Sequence, residues 1–499
     1  MIIVEFVKKI IKNEKSYLLA PLIFFIITIS FSFVLYNNVH YIYEIGFIEQ
    51  AEWNTLNGNF FSSVSNGGNH FARHNSPILF IFLPIYYLFE NITIFIILTN
   101  LLIAISAVPI YLFAKEYLKS KKAGIVFMIS YLLFPSFYYS NLRSFHPIML
   151  SVSFLAFALY FLYKKNVKFF LISIILAMLT NETVSFIVFM IGIYTLIKYD
   201  KKLGLILMII GITWFQLSTT VIMPHFSTET KYPFIKELYG HLGTDFKEII
   251  TTIITKPGYA LSYGSLEGKI IYFRSLFQHT FFISLLAPEV LIIGIPVIIQ
   301  NIFSASGYKY DILAHYSYPL IPLIMYATII GIKRIRKLFK KNILNNILIL
   351  VLITSLLSNI TFGIIPLVKE NCYLFDGVYS KNECPITGDI IGQTPKENFP
   401  SIKEAVSMIP QGASVMAQNH IYYLVSDRKA TYLFELFHNC NYADYFIFDS
   451  KGNIAPVKNP DIYIKETTNR MGYKITYQKG SIYLLKNTNF KESCFTLQD

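Results

Sequence analysis

Charge is what this sequence most lacks. Only 15% of its 499 residues are Asp, Glu, Lys or Arg, against 54% hydrophobic residues, whereas a soluble domain carries about 25% charged residues. Such a chain cannot cover a folded surface with water-facing groups, and its mean hydropathy of +0.49 excludes the soluble globular class. Cysteine is missing from the first 371 residues; Cys372, Cys384, Cys440 and Cys494 all lie beyond them. The segment that holds them has no P-loop, nucleophile elbow or dinucleotide fingerprint, so it is expected to bind, cover or stabilise and not to catalyse. The formal charge of +13 is not that of a nucleic-acid binder: the basic residues sit in short loops, and no basic face carries interleaved aromatics.

What the chain does have is long apolar runs. Candidate spans fall at 17–36, 92–114, 123–139, 148–163, 168–180, 183–197, 203–223, 274–287, 289–303, 316–332 and 343–364. The sequence therefore predicts a polytopic α-helical membrane protein of about 11 spans. Lys8, Lys9, Lys12 and Lys15 precede the first run, which ends without a small-residue cleavage site; it reads as a retained signal anchor. The apolar run 76–89 contains Pro77 and Pro84 and is read as re-entrant or interfacial. With that one assumption the basic loops 115–122, 164–168, 198–202 and 333–341 all face the cytoplasm, as the positive-inside rule asks.

That topology puts the N-terminus in the cytoplasm, and loops 37–91 and 224–273, the 141–147 turn and everything beyond residue 365 outside the cell membrane. The expected division is a multi-span domain at 1–365 and a small extracytoplasmic α/β domain at 366–499. In the latter, 401–408 reads as helix; 413–417, 430–434 and 442–449 read as strands; and 473–477 with 481–486 reads as a hairpin about Gly480. An even number of cysteines confined to one exported segment suggests disulfides. Four cysteines allow three pairings, of which Cys372 with Cys384 and Cys440 with Cys494 is the preferred one.

Polar chemistry concentrates in the first outer loop. Glu44, Glu49 and Glu52 lie on a stretch with Ile45, Ile48, Trp53 and Leu56 near one side and Asn57-Gly58 as a terminator, which predicts a helix over 44–56 lying on the outer leaflet. His70, Arg73 and His74 follow. Charged groups held against a membrane are expensive and tend to mark function. Glu44 is read as either a working carboxylate or part of a solvated helix face, Glu52 as the latter. His70 and His74 have the i, i+4 spacing of a metal pair, but surface histidines share that spacing and no metal site is expected there. Glu182, in Asn181-Glu-Thr183 between two spans, reads as a turn residue, and Lys309 and Asp311 as ordinary loop charges.

The run from Glu44 to Gly58 and the run His74-Asn-Ser-Pro77 through Phe89 resemble the ordered motifs of a family of multi-spanning membrane proteins, domain of unknown function 2079. Phe145-His-Pro147, the stretch from His315 to Pro322, and Gly412-Ala-Ser-Val-Met-Ala-Gln-Asn419 resemble further motifs of that family. This chain has Glu44 where the family usually has Asp, and Glu49 where it often does. The family is itself similar to membrane glycosyltransferases of the GT-C fold, which share an acidic residue soon after the first span, a re-entrant segment in the first outer loop and often a C-terminal exported domain.

The resemblance implies sugar transfer at the outer face. Nucleotide sugars are made in the cytoplasm, so the donor would be a polyprenyl-phosphate sugar in the membrane lipid; the acceptor is unknown. Glu44 would be the base, with Glu49 as fallback, and Arg73, His74, His70, Arg143, His146 and His315 would receive the donor phosphate. No cofactor is required, although a divalent metal between Glu44 and the phosphate is compatible with the residues. Two other readings remain open from sequence. A lipid or polysaccharide transporter or flippase predicts charges inside the spans and an internal repeat. A non-catalytic membrane-anchored binding or assembly protein predicts that its exported domain works alone.

Overall fold

The computed structural model of the protein describes residues 16–37, 43–227, 232–339, 343–363, 398–437, 443–451, 464, 467–468 and 472–488. Among these, five helices are long and apolar enough to cross a membrane: Leu19–Asn37, Thr93–Leu118, Lys201–Phe226, His315–Leu338 and Leu344–Phe362. A sixth is formed if Lys121–Leu132 and Pro135–Leu142, bent by 50° where they meet, count as one span. Pro147–Tyr163, Val167–Met178, Val184–Lys198 and Pro288–Ile302 are apolar but shorter. Their outward faces keep Ile26, Phe31, Ile209, Ile212, Ile353 and Leu357 about half exposed. Lipid, and not water, suits such a surface.

One expected span needs correction. The expected span 274–287 is not a helix: Leu266–Gln278 stops there, and Phe281 and Phe282 take positive φ in the turn that follows. The expected outer loop 224–273 carries short helices, Pro233–Tyr239, Phe246–Thr255 and Pro257–Ser262. The run after Pro77 forms Leu79–Phe89, an 11-residue helix with Pro84 inside it. At 1.5 Å per residue it is far too short to cross a bilayer.

Small residues let the spans approach. A Cβ on Gly192 would meet the Met208 backbone nitrogen at 2.8 Å, and one on Gly204 would strike the Leu196 backbone. The helices Val184–Lys198 and Lys201–Leu217 therefore pack backbone against backbone, as membrane helices do when apolar burial gives no net drive.

The C-terminal region matches its sequence pattern closely. Helix Phe399–Ser407 covers a five-stranded sheet in the order Thr431–Leu433, Val415–Ala417, Tyr445–Asp449, Ile482–Asn487, Tyr473–Lys479. The first two pairings are parallel and the last two antiparallel. Gly480, at φ +59°, makes the hairpin turn, where glycine pays no steric cost. All four cysteines and the 365/366 boundary lie outside the described residues.

The main correction concerns the 44–56 helix. It forms, as Glu44–Leu56, but it does not lie on a leaflet surface: Ile45, Ile48, Glu49, Gln50, Ala51, Glu52 and Asn54 are buried. It is sandwiched between the helical body and residues 422–431. Gln50 Oε1 accepts from the Val64 amide at 3.0 Å and the Tyr422 hydroxyl at 3.3 Å. Asn54 Nδ2 donates to the Ser62 and Lys429 carbonyls at 2.9 and 3.1 Å. The Ser65 hydroxyl joins the same seam, donating to the Thr431 carbonyl at 3.1 Å and accepting from the Leu433 amide at 2.8 Å. Gly46 is where the two parts come nearest, since a Cβ there would lie 2.7 Å from the Tyr422 ring and 3.1 Å from the Tyr423 Cα. Gly46→Val is therefore expected to pry them apart at a cost on the order of 1–3 kcal/mol. Thermal unfolding of the full chain in detergent checks this; an unchanged midpoint would count against the contact.

Candidate functional site

The Glu44 carboxylate stands at the first turn of its helix, below the start of the next elements. The Ser144 hydroxyl donates to its Oε2 at 3.0 Å, and His146 Nε2 lies 2.7 Å from the same oxygen. Both residues come from the extended link between Ser140–Arg143 and Pro147–Leu150, which Pro147 starts. The His146 ring stacks on the His315 ring, centroids 3.7 Å apart, at the start of the span His315–Leu338. Burial works to raise the Glu44 pKa, but the His146 charge, together with the His146 and Ser144 contacts, outweighs it and holds the carboxyl below its ordinary value. The balance favours the ionised form of Glu44.

A cavity of about 330 Å³ opens beside this group. Its lining includes the ionisable residues His74, His146, Glu182, Lys309 and His315 together with many apolar residues such as Phe186, Phe215, Ile249, Ile253 and Pro296. The short helices of the 224–273 stretch contribute Phe234, Tyr239 and Phe246 to the wall. A mostly apolar lining that also carries cationic and imidazole side chains suits a ligand with an anionic head and a hydrocarbon tail.

The remaining sequence candidates are distributed around that cavity. His74 faces the cavity, its ring stacked on Phe234 at 4.9 Å and its Nδ1 3.3 Å from the Glu182 carboxylate. Arg73 is turned to the side, holding Glu237 through two bonds of 2.5 and 2.9 Å with its guanidinium 4.9 Å above the Phe234 ring. His70 is buried outside the cavity lining with Nδ1 3.4 Å from Asn66, and burial pulls its pKa down to about 3, so it is neutral. It does not pair with His74, whose ring centroid is 6.5 Å away. Arg143 ends its short helix, and its side chain lies outside the described residues.

Glu49 lies well away from the cavity, in the seam with residues 422–431. The Ser426 hydroxyl donates to it at 2.6 Å and the Tyr86 hydroxyl at 3.4 Å. Burial, reinforced by the nearby Asp427 charge, pushes its pKa up to about 8. Glu52, read from sequence as solvated, is fully buried, and neither of its oxygens has a hydrogen-bond partner. Burial raises its pKa to about 9. A helix covered on both sides leaves these carboxyls no water, so they stay protonated.

Two residues were underrated from sequence. Glu182 is not a turn residue at the interface: it is buried, accepting from the Tyr232 hydroxyl at 2.9 Å and the Asn75 amide at 3.1 Å while it faces His74. Burial raises its pKa, yet the His74 charge and these donors leave it below the ordinary value. Lys309 is no ordinary loop charge: its ammonium lies 3.6 Å from the centroid of the Tyr316 ring at the cavity edge, and burial draws its pKa down to about 7. Asp311 behind it is raised to about 7 by burial. A lone carboxylate between two apolar runs was the available signal for Glu182; nothing local marked Lys309.

Comparison with known proteins fits this architecture. The model of the DUF2079 family, described as a predicted membrane protein, matches residues 39–484. Among solved structures, the chain is similar to ArnT from Cupriavidus metallidurans, determined bound to undecaprenyl phosphate. The TM-score is 0.54 at 11% identity, with 94% of this chain and 98% of that one covered. At such low identity the likeness establishes the GT-C fold alone. No curated protein sequence matches the chain.

Proposed function

Given that the chain belongs to the DUF2079 family of predicted membrane proteins, we propose that it transfers a sugar from a polyprenyl-phosphate donor at the extracytoplasmic face of the plasma membrane. The observation that carries this reading is the cavity: a mostly apolar lining that also carries His74, His146, His315 and Lys309, with an ionised carboxylate, Glu44, in contact with His146. The apolar lining suits a prenyl chain and these side chains its phosphate. The solved relative's bound undecaprenyl phosphate supports a lipid carrier of the same class here.

In the proposed step, Glu44 takes the proton of the acceptor hydroxyl. The hydroxyl oxygen forms a bond to the sugar's anomeric carbon as the bond from that carbon to the donor phosphate breaks, and the polyprenyl phosphate leaves with the electron pair. Lys309, His74 and His146 would stabilise the charge that develops on it. The orientation we infer rests on the basic loops, whose cytoplasmic reading supports an outward-facing cavity, 44–56 helix and C-terminal domain from about residue 366. The seam between that domain and Glu44–Leu56 supports a covering role for the domain over the site.

Incubation of the purified protein with labelled polyprenyl-phosphate hexoses and membrane extracts as acceptor tests the proposal. Label appearing in an acceptor, with free polyprenyl phosphate released, is expected; no turnover of any such donor would refute it. Arg73 offers a second check. Its exposed pair with Glu237 competes with a phosphate, and exposed pairs are worth about 0.2–1 kcal/mol. Glu237→Gln should therefore tighten donor binding by up to about 5-fold, read as a lower KM, while Arg73→Gln weakens it. No change in KM for either variant removes Arg73 from the phosphate path.

A further inference from the structure

We propose that Glu44, His146 and His315 form a binding site for one divalent transition-metal ion of the zinc class. One ligand atom from each of the three lies within 4.8 Å of the other two. His146 Nε2 is 2.7 Å from the Glu44 oxygen, but the ring N–H direction misses that oxygen, leaving Nε2 buried without a hydrogen bond. His315 is 3% exposed, and its Nδ1 is also without a partner. A buried imidazole nitrogen needs a partner, and one ion shared by the Glu44 carboxylate and a nitrogen from each ring would supply it.

The ligand chemistry selects the ion. Two imidazoles and one carboxylate are a zinc-type set with three protein ligands, leaving a coordination position for water or substrate oxygen. Magnesium and calcium prefer all-oxygen sites, so they fit poorly. Helix and loop placement also favours a preformed site. Glu44 is fixed at a helix start, His146 beside Pro147, and His315 at the start of a span, with Tyr308 and Tyr316 packed against its ring. The cavity lined by His146 and His315 supplies the route in. The i, i+4 pair His70 and His74 takes no part, since each is bonded elsewhere.

Metal binding does not depend on the sugar-transfer reading; in the metal-bound protein His146 is a neutral ligand and the ion takes over its positive charge facing the donor phosphate, a use that alone rests on that reading. The test is therefore a binding measurement. The full chain is purified in detergent, stripped with a chelator and titrated with zinc by calorimetry and with cobalt(II) by visible absorption. Saturation at one ion per chain, with ligand-field bands from cobalt, is expected. Glu44→Gln, His146→Gln and His315→Gln should each weaken binding by more than about 100-fold and alter the cobalt bands. His225→Ala, on the exposed rim, should change neither. Thermal unfolding without metal verifies that each variant is folded, and the milder His315→Asn replaces any that is not. Wild type binding no better than Glu44→Gln, or cobalt bands untouched by the two histidine variants, would overturn the site. A metal-binding protein without transferase turnover would leave the site standing and defeat the sugar reading, and turnover in a protein that binds no metal would do the reverse.

Discussion

Glu44→Gln is expected to reduce sugar transfer from a polyprenyl-phosphate donor by about 10²–10⁴-fold, the range that a positioned general base contributes. Glutamine keeps the volume of the side chain and an oxygen to accept the Ser144 hydroxyl, now at 3.0 Å from Oε2. It loses the negative charge that faces His146 and the ability to take a proton. The loss should appear in kcat with the fold intact, because the residue is only partly buried, its side chain 16% exposed. Glu44→Asp is the informative companion. The related family usually carries Asp at this position, so a carboxylate one methylene shorter should keep a substantial part of the rate. Since the folded protein holds the Glu44 pKa below its ordinary value, the acid limb of the rate profile should fall off only below the usual carboxylate range. Full activity in Glu44→Gln, measured by label transfer, removes the assignment.

The second large effect concerns stability. Glu49 and Glu52 have ordinary pKa values of 4.5, raised in the folded protein to about 8 and about 9. Over the interval between those values the unfolded chain is ionised while the folded chain keeps its protons. Stability is therefore full below about pH 4.5 and is lost as pH rises, levelling off only above about 8 for Glu49 and about 9 for Glu52. Each carboxyl contributes a slope of up to ~1.4 kcal/mol per pH unit. The seam between Glu44–Leu56 and residues 422–431 should loosen first, because Glu49 lies in it against Ser426. Thermal unfolding of the full chain in detergent at pH 5.5 and 8.5 should show a markedly lower midpoint at the higher pH. The double variant Glu49→Gln/Glu52→Gln should flatten the dependence, since amides do not ionise. Equal slopes in the two proteins would place the pH sensitivity elsewhere.

How much of this was legible beforehand depended on the range of the physics involved. The 44–56 helix was legible to the residue because its apolar spacing and the Asn57-Gly58 terminator are local, and the same holds for the short strands and the Gly480 hairpin. His74, His146 and His315 were identified as residue types that suit a phosphate, and the fold brings all three to the cavity. What pattern could not supply was the other side of each element. Glu49 looks like part of a solvated stripe until Ser426, nearly 400 residues later, meets it, Glu52 is buried by the fold, and the partner Glu237 of Arg73 comes from the distant outer loop 224–273. The expected span 274–287 failed because length and hydropathy do not register the left-handed turn at Phe281 and Phe282.

By itself, the sequence determined the environment and the inventory: too little charge for water, helices suited to lipid, and a few ionisable groups kept near the first span. These follow from solvation and local backbone preference, which each segment carries alone. Only the tertiary structure decided which groups meet. That Glu44 would find His146 and His315, that Glu182 would face His74, and that Lys309 would lose its water depends on packing between segments a hundred and more residues apart, where burial and neighbouring charge set protonation and no short stretch of chain records the outcome.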